Sequence, residues 1–169
     1  MAFALCLPQI TLSGENAISE LVRHIGAQPV HRPLIVTEQA LIGLGLVDGL
    51  IAGLRDLGIQ PVIFDGVLAN PTDQVVAAAM TVWHHGNCDA LIGFGGGSSM
   101  DTAKAIRALV ANPGKTIYDF EGIGKVGKVG PFMACISTTS GTAAEVTSNA
   151  VITDTRRKVK MVIIDTALI

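Results

Sequence analysis

One stretch of the sequence decides the fold of this chain: Leu91-Ile92-Gly93-Phe94-Gly95-Gly96-Gly97-Ser98-Ser99-Met100-Asp101-Thr102-Ala103-Lys104-Ala105-Ile106. An apolar run, 90–94, leads into three consecutive glycines, and Ala103, Ile106 and Val110 then recur at helical spacing. This order predicts a strand, a tight glycine turn and the N-terminus of a helix. Backbone N–H groups are exposed at the positive end of such a helix, where a phosphate can bind. A glycine-rich connection without a ligand is the plainer alternative, and the triple glycine does not decide between them.

Two common nucleotide-binding patterns do not fit this stretch. The Rossmann pattern G-x-G-x-x-G, counted from Gly93, requires a third glycine where Ser98 stands. A P-loop requires Gly-Lys-Ser/Thr at a spacing that does not occur here. The segment 95–104, GGGSSMDTAK, instead resembles the GGGSxxDxAK segment of the iron-containing (group III, metal-dependent) alcohol dehydrogenases.

The composition indicates a single domain, 1–169, with a sizeable core and few charges. Of the 169 residues, 49% are apolar and only 15% are charged, against a usual charged share of about 25%. Such a chain needs a partner subunit or a further domain to cover apolar surface, and we expect a homo-oligomer, a dimer or larger. The formal net charge of −2 and the aromatic content of 4% favour neither nucleic-acid nor membrane-surface binding.

The cysteines and the N-terminus point to a cytoplasmic protein. Cys6, Cys88 and Cys135 are odd in number and widely spaced, which indicates neither a zinc knuckle nor a disulfide framework. We interpret them as small buried residues in a reducing compartment. The segment 1–8 has no basic n-region, and no run approaches the roughly 18 apolar residues of a membrane helix.

Apolar runs and helical patterns alternate along the chain. The predicted strands are 34–37, 60–65, 90–94, 131–136, a weak edge strand at 3–12, and a hairpin of 150–153 with 159–164. The predicted helices open at 13–16, run behind Thr37 to Leu57, begin at an Asn70 cap with Pro71 in the first turn, and follow the glycines to Ala111. This alternation predicts an α/β fold with a doubly wound, mostly parallel, Rossmann-like sheet. Because ligands bind at the carboxyl ends of such strands, we expect the turns after Val36, Phe94 and Ile136 to share one rim.

Further segments are similar to the same alcohol dehydrogenase family, in the family's order. They are Leu34–Glu38 (LIVTE, against LIVTD), Asn70–Thr72 (NPT), Thr138–Thr147 (against TTxGTxxExT), Val151–Asp154 (VITD) and Lys160–Asp165, which resembles a lysine-bearing strand. The resemblance spans nearly the whole chain, which is therefore identified as a member of this family. Dehydroquinate synthase and glycerol dehydrogenase are related alternatives, and the segments TTSGTAAEVT and KMVIID favour the alcohol dehydrogenases.

The resemblance implies a NAD site. The residues it assigns to the cofactor are Glu38, Asn70, Gly96, Gly97, Ser98, Asp101, Thr138, Thr139, Thr142, Asn149 and Lys160. Glu38 takes the adenine-ribose position and Asn70 the cleft, while the glycines and Ser98 hold the diphosphate. Asp101 stands behind them, the threonines follow the diphosphate towards nicotinamide, and the last two residues reach the ribose. Asn70 as a helix cap, Asp101 as a first-turn acid and Lys160 as a solvated residue are the plainer interpretations.

The same resemblance places the metal ligands outside this sequence. In the family an aspartate and three histidines on an all-helical C-terminal half hold iron or zinc, and no GxDALxHAxE-like segment occurs in 1–169. The histidines here match no ligand position. The implied function is the NAD-binding half of an alcohol dehydrogenase that transfers hydride between a small alcohol or aldehyde and nicotinamide. We expect no catalytic residue and no turnover from this chain alone; a stand-alone nucleotide-binding or assembly module is the alternative.

Overall fold

The computed structural model describes residues 6–169, which contain seven strands and five α-helices. The strands are β1 (Pro33–Val36), β2 (Val62–Phe64), β3 (Ala90–Gly95), β4 (Gly122–Ile123), β5 (Met133–Ser137), β6 (Asn149–Asp154) and β7 (Val159–Ile164). The helices are α1 (Ala17–Gly26), α2 (Gln39–Gly43), α3 (Asp48–Asp56), α4 (Asp73–His85) and α5 (Gly97–Ala111). Two short 3-10 helices, Ile117–Phe120 and Thr166–Leu168, complete the described elements.

The main sheet is parallel and has helices on both faces, as the alternating sequence predicts. Its strand order is β2-β1-β3-β5. Every residue of β1 and β3 is buried because helices cover both faces. Ile35 and Ile92 pack with Ile25 of α1 and Leu54 of α3. The neighbouring Leu34 and Leu91 face the opposite way, towards α4 and α5, because side chains alternate along a strand.

A second, smaller sheet was not predicted, although its hairpin was. β6 and β7 pair antiparallel, and β4 adds to β7 in parallel. Burial alternates along β6, so one face packs on α5 through a separate core that includes Ile152, Met161 and Phe120. The hairpin thereby brings the start of β6 close to the glycine turn.

Four local expectations need correction. Residues 3–5 of the proposed edge strand lie outside the described part, and 6–12 form no strand; Pro8 lacks the N–H that a ladder needs. The helix expected up to Leu57 is divided into α2 and α3 around Gly45, whose φ of 70° interrupts it. The cysteines are not buried as expected, since Cys6 is exposed and Cys88 and Cys135 are half-buried. The fourth correction concerns the start of α4.

The cap of α4 is Thr72, not Asn70. The Oγ1 atom of Thr72 accepts a hydrogen bond from the N–H of Val75 at 3.2 Å, which satisfies a first-turn donor. Asn70 precedes the helix in the left-handed region, with φ of 56°. Its side chain is therefore available for another contact.

In the part of the chain from residue 6 onwards, no helix is both long and apolar enough to cross a membrane.

Candidate functional site

A cavity of about 330 Å³ opens between the N-terminal end of α5 and the start of the β6–β7 sheet. It is lined by Asn70, Pro71, Gly97, Ser98, Asp101, Thr142, Ala144, Thr147, Asn149, Val151, Thr153 and Lys160. Seven of these are among the eleven residues assigned to the cofactor from the sequence. The cavity lies beyond the carboxyl end of β3, the position where parallel α/β sheets bind ligands.

The glycine turn presents an open helix N-terminus to this cavity. Gly96 is the extended N-cap of α5 and has no side chain to cap the first-turn N–H groups. The N–H groups of Ser99 and Met100 bond back to the Gly96 carbonyl, at 3.2 and 3.4 Å. The first two helical residues, Gly97 and Ser98, line the cavity. Their N–H groups lie at the positive end of the helix dipole, which favours an anion there.

The glycines also let the segment after β5 approach the turn closely. A Cβ atom on Gly97 would lie 3.1 Å from Cγ2 of Thr142. One on Gly96 would lie 3.3 Å from Oγ1 of Thr139. Both threonines are therefore held beside the helix N-terminus, where their hydroxyl groups can add to the backbone donors.

Asp101 joins α5 to the second sheet inside the cavity wall. Its carboxylate accepts a hydrogen bond from the N–H of Val151 at 3.2 Å. Burial raises the pKa of Asp101 to about 6, against the opposing effects of this hydrogen bond and of Lys104. As the fifth residue of α5 it lies beyond the first turn, so the interpretation as a first-turn partner of the helix dipole is wrong.

Lys160 and Asn70 form a direct contact at the opposite side of the cavity. The Nζ atom of Lys160 donates to Oδ1 of Asn70 at 2.8 Å. The two residues thus connect β7 to the turn before α4. The cap interpretation of Asn70 is wrong, since Thr72 is the cap of α4. Lys160 is an exposed residue of β7, as the plainer interpretation expects, and it also contacts Asn70.

The other four assigned residues do not line the cavity. They are Glu38, Gly96, Thr138 and Thr139. The N–H of Thr138 donates to the Gly95 carbonyl at 2.9 Å, which continues the β3–β5 ladder past the strand ends. Glu38 follows β1 on the same rim, and its Oε1 lies 3.5 Å from Oγ of Ser99. Because that contact reaches the first turn of α5, the strand ends share one rim as expected.

The sequence interpretation did not assign the other five lining residues, Pro71, Ala144, Thr147, Val151 and Thr153. It also missed Lys104, which lies behind them. Its side chain is only 1% exposed, and its Nζ donates to the carbonyls of Ala144, Thr147 and Asn149 at 2.6, 2.5 and 3.1 Å. Burial lowers the pKa of Lys104, and nearby acidic groups oppose that shift. The sequence feature that could have indicated Lys104 is its position among the apolar residues of α5, where a lysine is expected to have buried partners.

Comparison with known proteins identifies the family of the chain. The sequence profile described as iron-containing alcohol dehydrogenase matches residues 8–169. The chain belongs to this family. It is 41% identical over 162 residues to the NAD-dependent methanol dehydrogenase of Bacillus methanolicus, covering 94% of this chain and 42% of that protein.

Solved structures of alcohol dehydrogenases and related reductases have the same fold. The crystal structure of a 1,3-propanediol oxidoreductase superposes with a TM-score of 0.95 at 34% identity, over 100% of this chain and 44% of that one. A sulfoacetaldehyde reductase from Bifidobacterium kashiwanohense, solved in complex with NAD+, gives a TM-score of 0.83 at 26% identity, over 99% and 44%. The chain thus spans less than half the length of these relatives.

The family's metal finds no fitting set of ligands in the described residues. Between residues 6 and 169, no three His, Cys, Asp or Glu side chains are grouped so that they could hold an ion. NAD, in contrast to the metal, fits the residues present. The helix N-terminus is uncapped, the glycines allow close approach, and hydroxyl and ammonium groups surround the cavity, all of which suit a dinucleotide.

Proposed function

We propose that this chain is the NAD-binding part of a metal-dependent alcohol dehydrogenase that acts on a small alcohol or aldehyde. The observation that carries the proposal is the open N-terminus of α5, which faces a cavity lined by seven of the residues assigned from the sequence. The names of two relatives support it, since one is an NAD-dependent methanol dehydrogenase and another was solved with NAD+. A cytoplasmic location belongs to the same proposal.

Each element around the cavity has a distinct role in binding the dinucleotide. The N–H groups of Gly97 and Ser98 hold the diphosphate, and Gly96 gives it close access. The hydroxyls of Thr138, Thr139 and Thr142 extend this contact along the cofactor. These groups act by binding and orienting; within 6–169 we assign no proton-transfer residue.

The ribose contacts come from the two ends of the site. In this proposal Asn149 and Lys160 bind the nicotinamide ribose, and Asn70 holds the lysine through the contact between their side chains. Glu38 accepts hydrogen bonds from the adenosine ribose hydroxyls. When bound, nicotinamide supplies the hydride chemistry of the reaction.

Calorimetry on the purified 169-residue chain tests this proposal. We expect saturable binding of one NAD per chain, no stoichiometric iron or zinc, and no oxidation of short alcohols. If the chain is folded but does not bind NAD, the proposed cofactor site is wrong. One tightly bound metal ion per chain, or turnover, would contradict the absence of a metal and substrate centre. NAD binding by a chain that is complete in its reading frame would favour a stand-alone binding module.

A further inference from the structure

Lys104 lies behind the part of the cofactor cavity formed by 142–149, which we call the site wall. Thr142, Ala144, Thr147 and Asn149 of the wall line the cavity. On the other side of the wall, a groove of about 740 Å³ is lined by Lys104, Arg107 and residues 145–147, among others. Thr147 borders both spaces, so the wall is a single thickness of backbone between them.

The site wall has little regular structure of its own to hold it. Residues 138–148 form neither helix nor strand, and Ala143 has φ of 52°, a left-handed conformation that an alanine rarely adopts. Irregular backbone near a core must find hydrogen-bond partners outside itself. Three of the wall carbonyls find theirs in one group, the ammonium of Lys104.

We propose that Lys104 is a positioning residue of the cofactor site, fixing the site wall against the phosphate-binding end of α5. An ammonium group has three N–H donors, and the carbonyls of Ala144, Thr147 and Asn149 account for all three. This arrangement compensates a buried charge that would otherwise be costly. The inference rests on the proposed function for its ligand, an anionic dinucleotide.

The same contacts favour anion binding. The three carbonyl oxygens are directed at the ammonium of Lys104, a residue that lines the groove and not the cavity. Carbonyl oxygens facing the cavity would repel a diphosphate. Without the ammonium, three wall carbonyls would lose their shared hydrogen-bond donor and their fixed orientation, and the helix N-terminus would face a less ordered cavity.

Arg107 provides a matched control on the same helix. It is also buried, at 7% exposure, and donates to three carbonyls, those of Pro131, Ala167 and Ile169, at 2.9 to 3.0 Å. None of these acceptors lines the cavity. Removing Arg107 therefore deletes a comparable buried cation with its bonds and leaves the site wall intact.

The test compares Lys104→Met, Lys104→Gln and Arg107→Met with the unmodified chain. At temperatures where each is folded, we expect Lys104→Met to weaken NAD binding about tenfold or more and Lys104→Gln, which keeps one NH2 group, to weaken it less. Arg107→Met should lower the melting temperature similarly and leave the NAD affinity unchanged. Equal affinities for the Lys104 and Arg107 variants would overturn the proposal; Lys104→Gln serves if Lys104→Met does not fold.

Amide hydrogen exchange separates this inference from the proposed function. We expect the amides of 144–149 to exchange faster in both Lys104 variants and at the unmodified rate in Arg107→Met. If the unmodified chain does not bind NAD, the proposed function fails, while faster local exchange still supports the positioning role. Unchanged exchange in 144–149 would overturn that role whatever binds in the cavity.

Discussion

The ammonium of Lys160 lies 2.8 Å from Oδ1 of Asn70, a residue 90 positions earlier in the chain and with φ of 56°. Asn70 therefore combines an unusual backbone with a contact to a cavity residue. Asn70→Gly and Asn70→Ala both remove the contact and should weaken NAD binding about fivefold. A positive φ is sterically unfavourable for alanine but not for glycine, so the alanine variant should lose about 1 kcal/mol of unfolding free energy relative to the glycine variant. Calorimetry and thermal denaturation measure the two effects; an alanine variant as stable as the glycine variant would refute the backbone argument.

Cofactor choice should depend on Glu38. A 2′-phosphate on the adenosine ribose would lie close to this carboxylate, and the residues that follow, 39–41, supply no arginine to neutralise it. Glu38 is the N-cap of α2, yet its side chain makes no cap hydrogen bond, so capping does not account for the acid. We expect NAD to bind more tightly than NADP.

Two variants separate the charge of Glu38 from its shape. Glu38→Gln keeps the size of the side chain and removes the charge, whereas Glu38→Gly removes both. Both should narrow the difference between NAD and NADP, measured by calorimetry with each cofactor. Equal affinities for the two cofactors in the unmodified chain would remove Glu38 from the site.

The fold was predictable where local patterns carry it. The apolar runs of β1 and β3 are long enough to indicate buried parallel strands, and the glycines between β3 and α5 define the turn. The second sheet was not predictable because β4 is only two residues, Gly122–Ile123, inside a glycine- and lysine-rich loop. Its pairing with β7 depends on tertiary contacts that no local period records.

The candidate site likewise has parts that the sequence predicts and parts that depend on tertiary contacts. The cofactor residues were assigned through the family resemblance, and seven of them converge on one cavity. The cap of α4 was misplaced because Asn70, Thr72 and Asp73 are all residue types that cap helices, and only the geometry selects the threonine. Lys104 was missed because its acceptors lie 40 to 45 residues further along the chain.

Asp101 should make stability depend on pH. Its pKa rises from 3.8 to about 6 in the folded chain, chiefly through burial. The unfolded chain therefore releases this proton first, so the contribution of Asp101 to stability falls between about pH 4 and pH 6 and is constant above. Asp101→Asn keeps an oxygen for the Val151 N–H and lacks the titration. The unfolding free energy of this variant, relative to that of the unmodified chain, should rise over that interval by about 3 kcal/mol; a constant difference from pH 3.5 to 7.5 would contradict the shift.

Association should follow from exposed apolar residues near the N-terminus. Leu7, Ile10 and Leu12 are 57%, 51% and 39% exposed. They line the groove that also contains Lys104 and Arg107. We expect a dimer or larger species in sedimentation experiments, weakened by Ile10→Glu. Leu44→Glu is the control, since Leu44 is 72% exposed but lies outside the groove. A monomer at micromolar concentration would contradict this expectation.

Gly97 offers the most direct test of the phosphate-binding turn. As the first residue of α5 it needs no positive φ, so alanine suits its backbone. The new methyl group would instead lie 3.1 Å from Cγ2 of Thr142, at the cavity. We expect Gly97→Ala to weaken NAD binding about tenfold, because the methyl group stands where the diphosphate approaches the backbone.

Gly49 is the matched control for this substitution. It is the second residue of α3, is exposed, and a Cβ atom there would have no neighbour within 4 Å. Gly49→Ala should leave NAD binding unchanged and stabilise the chain by about 0.5 to 1 kcal/mol, the usual gain from replacing a helical glycine. Thermal denaturation and calorimetry on both variants give the comparison.

A double variant distinguishes obstruction of the ligand from displacement of Thr142. Gly97→Ala with Thr142→Ser keeps the hydroxyl and removes the Cγ2 methyl, the nearest atom to the new Cβ. The 3.1 Å contact with Cγ2 should also lower the stability of the Gly97→Ala chain. If the alanine methyl blocks the diphosphate directly, the double variant recovers this stability but still binds NAD weakly, which is the result we expect. If the double variant recovers both stability and NAD affinity, the weaker binding results from displacement of Thr142. If the Gly97→Ala chain binds NAD as tightly as the Gly49→Ala chain, the turn is not part of the site.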